Sequence, residues 1–554
     1  MPTIEISYKD LCRLIGKNIK LEDLRNLMDF VKGEIESIEN DLLRIEIKDT
    51  NRPDLWSTEG IAREIRAKLG VEKGLPKYEA EKTNVKVIVS EKVKRVRPYT
   101  VCAVVKKLKL DELALSQIIQ LQEKIANNFG KGRKEIAIGV YDLKRIKPPI
   151  RYTTVKPDGI KFVPLDFEEE LTPKEILEKH PKGKEFGYLL KGFNEYPIFL
   201  DSKNEVLSLP PIINSNYSGK ITEKTKDVFI ECSGFDFKFL IPALNVMVCA
   251  LADRGGKIGI VEIEYPDKTI YTPDLKPKSA FVDIDYVNKI SGLNLTPKQI
   301  CKLLEKTRYE ASLKKNRIKV FYPAYRQDIM HQRDIVEDII ISYGYEKIEP
   351  QYPKIFVIGK QSEMEVFCKK VIEIMIGLGF QQILSPILTN KENLFKKMNL
   401  DEEMVIEIEN PVSANWNVMR NWLLPSLIEF LSNNLHVEYP QKIFEVGDVV
   451  LINEEMETMT EDEKRLACCI ANSRVSYEEI SSLLDAVLKN LGFDYKLKKS
   501  EHKSFIEGRV AEVFVEKEKI GYVGEISPQV LENWKIEMPV AAFEISLKKL
   551  FKKT

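Results

Sequence analysis

An α+β chain of several domains is what this sequence predicts, and three observations carry that prediction. At 554 residues it exceeds what one hydrophobic core sustains, so three to five domains are expected. Strand-like runs alternate with segments whose apolar residues recur at i, i+4 and i+8, the spacing of one helix face. Two Pro-containing stretches, "TPDLKPKSAF" (272–281) and "EPQYPK" (349–354), interrupt the alternation and read as linkers. Domains are therefore placed at 1–90, 91–271, 272–350 and 351–554.

Within 1–90, "VKGEIESIENDLLRIEIKD" and "NVKVIVSE" are strand-like and two helices accompany them. In "NRPDLWSTEGIAREIRAKLG" (51–70), Asp54 follows Pro53 in a turn, Ser57 is an N-cap, and Ile61, Ile65 and Leu69 form a helical stripe. The segment 91–271 has strands in "YTVCAVVKKLKL", "KEIAIGVYDL", "EYPIFLDSKNEVLSLP" and "DVFIECSG". Helices fall in "ELALSQIIQLQEKIANNF" and "ALNVMVCALADRGG", an α+β layout. A small helix–strand–strand–helix unit follows to about 350. The last 200 or so residues carry helices in "SEMEVFCKKVIEIMIGLGF" and "LPSLIEFLSNNL". Their strands, among them "QKIFEVGDVVLI", "LACCIAN" and "VAAFEISLKKL", suggest an antiparallel sheet flanked by helices.

Composition excludes several function classes. Basic and acidic residues both number 85, so any nucleic-acid binding must come from local patches. Eight cysteines include no C-x-x-C pair, and Cys468–Cys469 lie in an apolar run, which suits buried thiols in a reducing cytosol. "MPTIEISYKDLCRLIG" has no signal-peptide core, and no apolar run approaches the ~20 residues a bilayer requires, so a cytoplasmic protein without membrane contact is expected. Phosphate-loop, dinucleotide, HExxH and G-x-S-x-G signatures are all missing. His180, His331, His436 and His502 are isolated in sequence. Chemistry must then use carboxylates, hydroxyls, backbone groups or a partner.

The densest candidate is "YRQDIMHQRDIVEDIIISYGYEKI" (325–348). Ile335, Ile339 and Tyr343 make the residues after Arg333 helical, which sets Asp334, Glu337 and Asp338 at i, i+3 and i+4 on one face. Asp328 is placed upstream, at the end of the "IKVFYPAYRQDI" strand. Two readings stand: a metal site, or a solvated helix start whose acids complement the macrodipole.

Taken together, these stretches resemble one family, the β subunit of phenylalanyl-tRNA synthetase in its archaeal/eukaryotic form, and the resemblance spans essentially the whole chain. "NRPDLWSTEGIAREI" is similar to the family's N-terminal domain. "GRKEIAIGVYDLKRIKPPIRYT", "FVPLDFEEELTPKEILEKHPKGKEFGYLLKG" and "VLSLPPIINS" are similar to its B3/B4 domain, which hydrolyses mischarged Tyr-tRNA. The acidic stretch is similar to the end of its B5 domain. "NVMRNWLLPSLIEFLSNN" with "KIFEVGDVV" resembles its B6/B7 module, a relic of the class II synthetase fold.

The resemblance implies an (αβ)₂ tetramer, tRNA(Phe) as partner, and phenylalanine activation with ATP on the α subunit. It also implies Mg²⁺ shared with that subunit, held by Asp328, Asp334, Glu337 and Asp338 at offsets of +6, +9 and +10. The C-terminal module is expected to be catalytically silent. "KIFEVGDVV" offers Glu445 and Asp448 where an ATP-gripping arginine is needed, and Arg420 is read as structural at a helix entry.

Editing candidates carried over from the family's motifs are Asn214 and Ser215 in "LPPIINS" and Asp236 in "ECSGFDF", whose ends are expected to converge on a pocket. The alternative is that "PPIINS" is a Pro-defined turn whose Asn and Ser bond only their own backbone. Asp236 would accept from the tyrosine hydroxyl or orient a water, so that Asp236→Ala slows Tyr-tRNA hydrolysis by on the order of 10–100-fold. Lys238 departs from the family, which has a threonine two residues after this aspartate. For Lys131, Arg133 and Lys134 two readings stand: a phosphate patch for the tRNA acceptor end, or an exposed basic turn. The rivals are a tRNA-binding scaffold without hydrolysis and an independent metal hydrolase.

Overall fold

Ile4 and Ile6, and Leu43, Ile45 and Ile47, alternate with charged residues, so one face of each strand is apolar. They pair as a three-stranded antiparallel sheet with Leu42–Ile47 between Thr3–Ser7 and Gly33–Glu39. In this computed structural model, which describes residues 2–353, 355 and 357–553, the chain divides into two units, Met1–Gln351 and Tyr352–Thr554. The second linker, "EPQYPK", ends on residue 354, outside the described residues.

The first unit is built on a ten-stranded sheet. From one edge its strands run Ile213–Asn214, Val206–Leu209, Tyr196–Leu200, Ile150–Val155, Ala80–Val89, Lys257–Glu264, Tyr99–Lys106, Val228–Gly234 and Ile136–Asp142. Thr269–Thr272 adds to Lys257–Glu264. Period two divides each central strand between two cores: Val101, Ala103 and Val105 meet the helices Glu112–Lys124 and Phe237–Asp253, while Cys102 and Val104 join Tyr141, Phe199 and Phe229 behind. Because the sheet curls, its two edges come together, with Tyr141 of one edge strand 3.4 Å from Asn214 of the other.

Two expectations are corrected here. Ala80–Val89, assigned to the domain ending at 90, pairs in parallel with both Lys257–Glu264 and Ile150–Val155, so it belongs to the middle sheet. The linker at 272–281 already contains the start of the strand Lys278–Asp283, which pairs with Arg317–Tyr322 in a third, three-stranded sheet. That strand carries little sequence signal, because Val282 is its one fully buried apolar residue. Asp328 also lies beyond its expected strand, which ends at Tyr322.

The second unit centres on a seven-stranded sheet, antiparallel apart from the short pair Gln381–Gln382 with Ile443 and Phe444. Its long hairpin, Gln441–Ile452 with Thr460–Ala471, carries Cys468 and Cys469, one facing each of two cores. All cysteines are free, and burial raises the thiol pKa of both. The expected antiparallel sheet with helices is present. The helix Tyr477–Asn490 and the strand Tyr495–Lys499 add to the elements expected from the sequence.

Candidate active site

Where the two edges of the large sheet meet, a cavity of about 420 Å³ opens beside the helix Glu112–Lys124. Strand alternation sends Val228, Ile230 and Cys232 into the helix core, so Phe229, Glu231 and Ser233 occupy the opposite side. A carboxylic acid is thereby placed deep in the fold, at 2% exposure. Glu231 Oε1 accepts from the Tyr141 hydroxyl at 3.0 Å, and Oε2 finds no hydrogen-bond partner among the described residues. Burial raises its pKa to about 8 against the opposing pulls of Tyr141, Arg97 and Ser233, so the carboxyl holds its proton far more tightly than an exposed glutamate. Tyr141 reaches it because Gly139 lies opposite Glu231 in the register; a Cβ at Gly139 would overlap the Tyr141 ring and hydroxyl.

Asn214 lines the cavity, with Glu231, Ser208, Arg133 and His180. Ser215 sits behind it, buried, with its hydroxyl accepting from the Tyr217 amide at 3.2 Å. Asp236 is not among the lining residues: it caps the helix Phe237–Asp253 by accepting from the Lys238 amide at 2.8 Å. Lys238 also stays off the cavity, its ammonium 5.2 Å from the Phe239 ring centre. The "ECSGFD" stretch thus contributes Glu231, five residues before the expected aspartate.

Arg133 lies inward rather than on the surface. Its guanidinium donates to Ile212 O and Glu123 Oε1, both at 2.8 Å, which ties the edges of the cavity together. Lys131 and Lys134 remain exposed. His180, isolated in sequence, lines the cavity, yet both ring nitrogens are used. Nδ1 accepts from the Lys182 amide at 3.1 Å, so Nε2 carries the proton toward Leu165 O, also at 3.1 Å. That leaves no free lone pair for a general base.

The four acids of the 325–348 stretch do not assemble. Asp334 turns back on its own helix, Gln332–Tyr343, and accepts from the Met330 and His331 amides at 2.8 and 2.7 Å. Glu337 pairs with Lys32 at 2.7 Å. Asp328 and Asp338 converge, but on Arg326, which donates to Asp328 at 2.7 and 2.6 Å and to Asp338 at 2.8 Å. Burial works to raise the Asp328 pKa, and Arg326 and Arg52 outweigh it, holding the carboxyl below its usual range. Tyr309 donates a further hydrogen bond to Asp338. Among the described residues no group of three or more His, Cys, Asp or Glu could hold a metal ion. As a ligand set for Mg²⁺ these residues do not fit, because two carboxylates are already neutralised by arginine and the other two face elsewhere.

In the second unit Arg420 is 1% exposed and spans Glu445 Oε1, Ser385 Oγ and Asp448 O at 2.8, 2.6 and 2.9 Å. A second cavity, about 630 Å³, holds Arg465 on the sheet face. That arginine is bound by Glu463 at 2.7 Å and Glu544 at 2.9 Å, and Glu544 also caps the helix Leu424–Asn433 through the Leu423 and Leu424 amides.

Three family models match the chain in order: the B3/4 domain over residues 87–240, the tRNA synthetase B5 domain over 280–345, and the phenylalanyl tRNA synthetase beta chain CLM domain over 348–547. The chain is 50% identical to the "Phenylalanine--tRNA ligase beta subunit" of Pyrococcus horikoshii over 556 aligned residues, covering 100% of both chains. It belongs to the phenylalanine–tRNA ligase beta-subunit family. The Methanocaldococcus jannaschii beta subunit is similar at 41% identity, over 99% of this chain and 100% of that one. An N-terminal fragment of the Pyrococcus horikoshii phenylalanyl-tRNA synthetase beta subunit, solved by crystallography, matches with TM-score 0.61 and 52% identity. It covers 62% of this chain and 100% of the fragment. No helix among the described residues is long and apolar enough to cross a membrane.

Proposed function

We propose that this chain is the scaffolding, tRNA-binding and proofreading subunit of a phenylalanine–tRNA ligase, assembled with α subunits as (αβ)₂, and that its cavity hydrolyses Tyr-tRNA. The observation that carries the proofreading is Glu231, buried in the cavity wall with one carboxyl oxygen unpartnered. Tyrosine exceeds phenylalanine by one hydroxyl, and a phenol entering the cavity would hydrogen-bond Oε2. Phenylalanine would leave that oxygen buried and unpaired, which is the direction in which a site discriminates strongly. Water then attacks the ester carbonyl carbon, the ester C–O bond breaks, and the proton passes to the departing ribose oxygen. Neither His180 nor Asp236 is needed. Activation of phenylalanine falls to the α subunit, since Arg420 and Arg465 are both held by carboxylates and neither is free to grip a triphosphate.

Single-turnover hydrolysis of preformed Tyr-tRNA by the assembled enzyme tests the reading. Glu231→Ala should slow it about 10–100-fold, the loss of one strong hydrogen bond, with Phe-tRNA formation near normal. Asp236→Ala should hydrolyse at close to the wild-type rate. Equal rates for wild type and Glu231→Ala would remove the cavity from proofreading and leave a tRNA-binding scaffold.

A further inference from the structure

The cavity wall continues into a short helix, Asn216–Gly219, that presents one large ring to water. Tyr217 is 51% exposed, although Asn214, Gly219 and Lys220 around it all line the cavity. Its place is fixed from two sides. The Tyr217 amide donates to Ser215 Oγ at 3.2 Å, and its carbonyl accepts from Arg145 Nη1 at 2.6 Å. The Arg145 guanidinium stands 5.6 Å from the ring centre. Lys144, Lys147, Lys220 and Lys224 are exposed on the same two segments, and none of the four has an ion-pair partner among the described residues. Thr225, bonded to Asp142 at 3.4 Å, holds these segments side by side.

An exposed ring with a guanidinium beside it and unpaired lysines around it is the chemistry that binds single-stranded nucleic acid. Bases stack on the ring whatever their identity, and the cations follow the phosphates. We infer that Tyr217, steadied by Arg145, is the stacking platform for the terminal unpaired nucleotide of the RNA whose aminoacyl group enters the cavity. The inference rests on the proofreading assignment. It adds the subsite that would hold the nucleotide while the ester lies inside.

The probe is an acceptor-stem RNA hairpin with 2-aminopurine as its 3′-terminal base, titrated with the full chain. Stacking on Tyr217 should quench the fluorescence. Tyr217→Phe should keep the quench, while Tyr217→Ala should abolish it and weaken binding about 10-fold or more. Binding of free tyrosine to the cavity, followed by calorimetry, should be the same in wild type and Tyr217→Ala, which reports an intact fold. A quench unchanged in Tyr217→Ala, or absent in the wild type, overturns the platform. A Tyr217-dependent quench from a chain that hydrolyses no Tyr-tRNA sustains the platform and refutes proofreading alone.

Discussion

Glu231 shows how one side chain acquires a function from its surroundings. An exposed glutamate titrates near 4.3, whereas here burial lifts the pKa to about 8. Between those values the folded chain holds a proton that the unfolded chain has released, so stability falls as pH rises through that window. Glu231→Gln keeps the shape and an acceptor for Tyr141 but cannot ionise. Its melting temperature should match the wild type near pH 4 and exceed it by a growing margin toward pH 8–9. A margin that stays constant across this range would mean that Glu231 is not held protonated. The residue was hard to find in the sequence because "DVFIECSG" reads as an ordinary buried strand. The available signal was its alternation: Phe229 and Ser233 share the side of Glu231, and no carboxylate settles on the inward side of a central strand without a reason.

At the scale of elements, the sequence locates most strands and helices, and two of its candidate acids stand at helix starts. Asp236 and Asp334, candidates for chemistry from the sequence, both bond backbone amides at the beginning of a helix. The i, i+3, i+4 spacing of Asp334, Glu337 and Asp338 did place them on one helix, Gln332–Tyr343. Spacing along a helix fixes direction only, and what covers each direction comes from distant segments: Lys32 for Glu337, Arg326 and Tyr309 for Asp338. By contrast Ser57 was identified as an N-cap and does accept from the Gly60 amide at 3.1 Å, since capping is decided within four residues. A Cβ at Gly60 would overlap Asp54 O, so this glycine lets the "PDL" turn pack directly on the helix. Asp334→Ala should cost about 0.5–2 kcal/mol of stability, the ordinary value of a lost helix-start acceptor. Urea unfolding of the full chain measures it, and a loss well beyond that range would mean that Asp334 holds more than its own helix.

Across the first unit, the two stretches that stood out in the sequence, "NRPDLW" and "YRQDI", form one buried ionic network. Arg52 donates to Asp54 at 2.9 and 2.8 Å, contacts Glu64 at 3.4 Å, and stands 4.0 Å from Asp328, which Arg326 links onward to Asp338. Gln327 donates to Asn51 O beside it, and Lys32 bridges Asp49 and Glu337, each at 2.7 Å. The acids at 328–338 therefore clasp the N-terminal residues to the three-stranded sheet unit. Arg326, 2% exposed, is the shared member, and replacing it by methionine would leave Asp328 with only Arg52 at 4.0 Å and Asp338 with only the Tyr309 hydroxyl. Arg326→Met should lower stability by about 3–5 kcal/mol at neutral pH. Because the Asp328 pKa is depressed by folding, its contribution is fully present above the unfolded value near 3.9 and is lost as pH falls through the folded one. The penalty of Arg326→Met should therefore shrink in strong acid, where the two carboxylates become neutral. With arginines already balancing Asp328 and Asp338, the wild-type melting temperature should be the same in Mg²⁺ and in EDTA. A clear rise in Mg²⁺ that disappears in Asp334→Ala/Glu337→Ala would show instead that the four acids can leave their present partners for a metal ion, and the clasp would then be one of two arrangements of this network.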